Sequence, residues 1–146
     1  MNALRRSNYL GILGTIAASV MFLAAYLGMA FGDSVKVMLS GDNEVPAVKS
    51  AASGSGTIMI NADKTVSGSV TTTGVMGTMA HIHLAAAGKN GPVIIPLTKS
   101  GDNTWSVSAG AKLTDDQYAA YKAGDLYVNV HSAANKGGEI RGQLKP

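Results

Sequence analysis

Hydrophobic positions along this chain follow two different rules. From Tyr9 to Phe31 they form one uncharged run, preceded by Arg5 and Arg6 and ended by Asp33. A helix over that run is about 34 Å long, enough to span a hydrocarbon layer of about 30 Å. Beyond it the apolar residues come in short stretches broken by Gly, Asn, Asp and Pro, the pattern of strands joined by tight turns. Val35 to Leu39 reads as a first strand, followed by a turn-rich segment from Ser40 to Ser50 that contains Pro46. Gly56 to Ile60 and Thr65 to Thr73 form a predicted hairpin around Asn61–Lys64, with Val66, Gly68 and Val70 on one face. Further strands are expected over Met79 to Leu84, Val93 to Leu97, Thr104 to Val107, Leu126 to His131 and Glu139 to Leu144. One helix is expected: Thr114 is a good N-cap, Gln117 completes a capping box and Gly124 is a natural stop.

This order implies an N-terminal membrane anchor or signal segment over residues 1–32 and one domain over 33–146. The domain is expected to be all-β, an antiparallel Greek-key-like sandwich or barrel with one short helix. Positive charge before the apolar run places the N-terminus in the cytoplasm and the domain on the periplasmic or extracytoplasmic side. A retained transmembrane helix tethers the domain. Alternatively, cleavage after Gly28 and Ala30 releases it. Both readings export it.

Composition narrows the chemistry. Cysteine is absent, which excludes disulfide stapling, thiolate metal sites and cysteine nucleophiles. The net charge of +3 comes from basic residues scattered along the chain, so no nucleic-acid surface is expected. The chain has no phosphate-cradling glycine loop, G-x-S-x-G, H-E-x-x-H or EF-hand pattern. Asp115 and Asp116 sit where negative charge suits a helix start. Ser132, next to His131, points to the opposite face, which argues against a nucleophile–base pair.

The three histidines carry the strongest signal. His81 and His83 are two apart on a strand and share a face, with Ile82 on the other. In the later strand Leu126, Val128 and Val130 form one face, and Tyr127, Asn129 and His131 the other. If the strands are neighbours, three imidazoles meet outside the core. Imidazole suits copper, with zinc as the alternative. The plainer reading is three ordinary surface histidines. Met79 shares their parity and offers a thioether that favours Cu(I), or simply fills space at a strand start. Glu139 and Arg141 share a face and are expected to pair, with a position for Arg141 beside the metal as the other reading.

The segments Leu39–Pro46, Ala80–His83 with Gly88–Val93, and Leu126–His131 running into Gly137–Leu144 closely resemble the CHRD domain, in the family's order and over about residues 35–144. The resemblance implies a fold more firmly than an activity. Glu44 lies in its first block as a carboxylate ligand, an acceptor for a histidine N–H, or a cap of the turn before Pro46. A looser similarity links the chain to copper–zinc superoxide dismutase, whose Greek-key barrel carries an H-x-H strand and a later V-H strand. That similarity implies copper ligands at His81, His83 and His131, with Arg141 in the place of a substrate-guiding arginine. The sequence departs from it in having no bridging histidine, no zinc subsite and no cysteine. The expected function is therefore a membrane-tethered copper-binding protein in delivery, storage or electron transfer. The alternatives are a structural or accessory subunit of a membrane protein complex and, less in keeping with the ligands, a dismutase-like enzyme.

Overall fold

A computed structural model describes residues 32–146. The anchor or signal segment expected over residues 1–32 lies outside the described residues but for its last position. Among the described residues no helix is long and apolar enough to cross a membrane.

Eight antiparallel strands close into a barrel: β1 (Asp33–Ser40), β2 (Ser53–Ile60), β3 (Val66–Thr73), β4 (Gly77–Leu84), β5 (Val93–Lys99), β6 (Thr104–Val107), β7 (Leu126–Ser132) and β8 (Ile140–Leu144). Around the barrel they run β1-β2-β3-β6-β5-β4-β7-β8. Strands β4, β5 and β6 follow one another, and β7 returns to lie beside β4, which is the Greek-key connection. The helix α1 (Asp115–Lys122) fills the crossing between β6 and β7.

Alternation drives the closure. Val35, Val37 and Leu39 of β1, Ile58 and Ile60 of β2, Val66 and Val70 of β3, and Leu126, Val128 and Val130 of β7 all point into one buried core. Burying a side chain of this kind contributes about 1.5–3 kcal/mol. Trp105 from the short β6 and Tyr121 from the helix add large aromatic blocks to that core. The helix starts as expected: the Thr114 hydroxyl accepts from the Gln117 N–H, and the Gln117 side chain accepts from the Thr114 N–H. Asp115 pairs with Lys64, and Lys122 with Asp33, fastening the helix to the β2–β3 turn and to β1.

One irregularity shapes the start of β4, the strand that carries two of the histidines. The β4–β7 ladder shifts register between Gly77 and Met79, so Gly77 opposes Ser132 while Met79 opposes His131. The extra residue, Thr78, changes the parity of the strand start, as a bulge does. A Cβ on Gly77 would strike Trp105 and Val130, so that position faces the core, whereas Met79 faces outward.

Candidate metal centre

The outward face of β4 carries His81 and His83, and the neighbouring β7 carries His131. Ala80 and Ile82 occupy the core face between them. The ladder sets Met79 opposite His131, His81 opposite Asn129, and His83 opposite Tyr127. One nitrogen from each histidine lies within 4.8 Å of the others. The ring centroids of His81 and His131 are 5.0 Å apart, those of His81 and His83 5.5 Å, and those of His83 and His131 5.9 Å.

Outward here does not mean exposed. His83 and His131 are only 8% and 6% accessible, and every residue of β7 is buried. The loops after β4 and β7 fold over this part of the barrel and supply hydrogen-bond acceptors. His83 Nδ1 lies 3.0 Å from the Gly91 carbonyl oxygen, and His131 Nδ1 lies 2.9 Å from that of Lys136. A carbonyl oxygen only accepts, so both Nδ1 atoms carry the proton and both Nε2 atoms present lone pairs. His83 Nε2 is buried and has no hydrogen-bond partner. His81 Nδ1 lies 3.1 Å from His131 Nε2 and donates to it. Two nitrogens bound tetrahedrally to one ion at 2.0–2.1 Å would be about 3.3 Å apart. The His81–His131 hydrogen bond thus already holds two donors at nearly that spacing. If the His81 proton moves to Nε2, its Nδ1 becomes a third lone pair beside the two Nε2 atoms.

Electrostatics favour neutral rings at His81 and His83. Burial pushes His81 below the ordinary histidine value, and the positive charge that His131 and His83 would carry adds to the shift. Burial likewise lowers His83, opposed by its bond to Gly91 and reinforced by His131 and Arg141. Neutral, lone-pair-bearing rings are the form a cation binds.

The surroundings hold these rings in place. Tyr127 stacks on His83 with centroids 4.8 Å apart and planes 7° from parallel. From β8, on the other side of β7, the Arg141 guanidinium carbon lies 3.4 Å from the Tyr127 ring centre. The Gly91 N–H donates to the Tyr127 hydroxyl at 3.2 Å, closing a circuit through His83, Gly91 and Tyr127.

The other residues singled out from the sequence have distinct places. Glu44 is buried, and its Oε2 accepts from the Asn129 side chain at 3.1 Å, one ladder step from the histidines. It is not one of the three residues that converge. Burial raises its pKa, opposed by the Asn129 bond and by Arg141. Its Oε1 and the Asn129 Oδ1 are buried without partners. Met79 is half exposed beside His131. Arg141 is fully buried and forms no ion pair with Glu139; it donates to Asn90 Oδ1 at 3.3 Å, while Glu139 accepts from Ser50. A cleft of about 520 Å³ opens beside Glu44, Arg141, Gln143 and Lys145, but no histidine lines it. Tyr127, Asn129 and Gly91 were not recognised from the sequence as part of the site. For Tyr127 and Asn129 the signal was their shared parity with His131.

Over residues 35–144 the chain matches the CHRD domain family model, and it belongs to that family. Neither a curated protein nor a solved structure gives a match.

Proposed function

We propose that this CHRD-domain chain binds a single copper ion through His81 Nδ1, His83 Nε2 and His131 Nε2. The observation that carries the reading is the buried, partnerless Nε2 of His83 in a group of three convergent imidazoles. An unsatisfied buried acceptor costs on the order of 1–3 kcal/mol, and a bound cation removes that cost. Copper is preferred to zinc because Cu(II) stands above Zn(II) in affinity for a nitrogen site. Three protein ligands leave a position open for a ligand from solvent or from a partner.

The uncharged run from Tyr9 to Phe31 supports a domain held on the periplasmic or extracytoplasmic side of a membrane, with copper delivery, storage or electron transfer as its role. The same run favours a second reading, an accessory subunit of a membrane protein complex, which is compatible with copper binding. Nothing in the donor set supplies the second metal site of a dismutase.

The test is metal titration of the full-length chain in mild detergent. One equivalent of Cu(II) is expected to bind, with nitrogen hyperfine structure in its paramagnetic spectrum, and His131→Ala is expected to abolish it. Absence of stoichiometric copper from the wild-type chain would sink the proposal. Native purification in the same detergent addresses the accessory reading, against which migration as a free monomer counts.

A further inference from the structure

Among the described residues, the large hydrophobic residues left exposed are Met38, Met59, Met76, Met79 and Val93, four of the five being methionine. Met79 differs from the rest in its place on the ladder. It stands directly opposite His131, where facing residues have Cβ atoms about 4.5–5.5 Å apart and point to the same side of the sheet. It also precedes His81 by two positions on the same outward face. The bulge at Thr78 confines the parity change to the strand start and leaves Met79 aligned with the histidines.

Exposure is graded across this face. Met79 is 50% accessible, His81 is partly buried, and His83 and His131 are closed off. Of these four residues, Met79 and His81 are the ones that solvent reaches. Methionine has three rotatable bonds to place its sulfur and no branch to obstruct them. A thioether is a soft donor that adds affinity for Cu(I) and contributes little toward Cu(II) or Zn(II) in competition with imidazole and water.

We infer that Met79 is a fourth, oxidation-state-selective ligand, which makes the centre a three-histidine, one-thioether site for Cu(I). The inference rests on the three-histidine reading and deepens it by assigning which form of copper the site favours. Its Cu(II) form keeps the imidazoles and takes its further donor from solvent.

The experiment compares full-length wild type, Met79→Leu and Met59→Leu in detergent, measuring Cu(I) by competition with a coloured Cu(I) chelator and Cu(II) by direct titration. Met59 lies in β2, away from the histidine strands, and controls for a surface thioether in general. Met79→Leu is expected to weaken Cu(I) binding at least tenfold while Cu(II) affinity changes less than twofold, and Met59→Leu is expected to change neither. X-ray absorption of the Cu(I)-loaded wild type is expected to show one sulfur scatterer, absent in Met79→Leu. Unchanged Cu(I) affinity in Met79→Leu, with Cu(II) binding intact, overturns the thioether and leaves the histidine site standing. Equal loss of both oxidation states also overturns it, since that marks a packing role. Failure of the wild type to bind either form overturns both readings.

Discussion

His83 donates its Nδ1 proton to the carbonyl oxygen of Gly91 across 3.0 Å, and this contact decides which ring nitrogen is free to bind a cation. The glycine is required by space. A Cβ at position 91 would lie 1.8 Å from the Leu84 carbonyl oxygen. Gly91→Ala is therefore expected to displace the loop, release the His83 ring and break the contact with Tyr127. Copper affinity should fall 10- to 100-fold, the usual effect of losing a group that orients a ligand. Competition titration reads the change, and an unaltered affinity would show that His83 needs no such guide.

Protonation of the histidines bears on stability without metal. His81 and His83 have folded-state pKa values below the ordinary one, so the unfolded chain takes up protons first as pH falls. The stability they contribute is complete above about pH 6.5 and is lost as pH drops through their lowered folded values. Thermal unfolding of the metal-free chain should give a level midpoint from pH 8 to about 6.5 and a decline below. His83→Asn should make the decline shallower; an equally steep decline would show that other groups cause it.

Glu44 acts in the opposite sense. Its folded pKa is raised, so its contribution is fully present below its unfolded value and is lost as pH rises through the folded one. Once ionised it is a buried carboxylate with Oε1 unpartnered, beside Asn129, whose Oδ1 is unpartnered too. Glu44→Gln removes the charge and offers an N–H to that oxygen. The variant should be more stable than wild type at pH 7.5, by on the order of 1 kcal/mol, with the gap closing as pH falls toward 4.5. Urea unfolding at several pH values checks it, and a less stable variant at pH 7.5 would refute the argument.

The seam between β1 and β8 is the barrel's least regular join, with Ser40 opposite Arg141 as its one paired position. Gly142 lets the strands approach, since a Cβ there would lie 2.3 Å from the Met38 carbonyl oxygen and 2.6 Å from Val37 Cγ2. Gly142→Ala should destabilise the chain by about 1–3 kcal/mol, as overpacking does. Chemical denaturation measures this, and a neutral result would mean that β1 yields without cost.

The part of the site visible in the sequence was the part governed by period-two alternation. His81, His83 and His131 do share the outward side of adjacent strands, with Ile82, Val128 and Val130 in the core. The helix cap at Thr114 and the stop at Gly124 were legible for the same reason, since they are local chemistry. Alternation says nothing about what loops later cover. The burial of Tyr127, Asn129 and His131 depends on contacts from residues distant in sequence, such as Gly91 and Glu44. Arg141 shows the same limit: its neighbour by parity is Glu139, but its partners are Tyr127 and Asn90 on other elements. The expectation of a sandwich or barrel became definite only through the β1–β8 join, which no local pattern announces.

A sheet that meets its own first strand leaves little unpaired backbone to lend, and here most of what is left lies along the loosely paired β1–β8 seam. Chains with open borders can be extended by a stranger's strand, whether in recognition or in aggregation. Here every described strand already has a neighbour on both sides. A protein that docks on this domain therefore reads mainly loops and side chains, and crowding gives the folded chains few strand edges on which to grow into fibres.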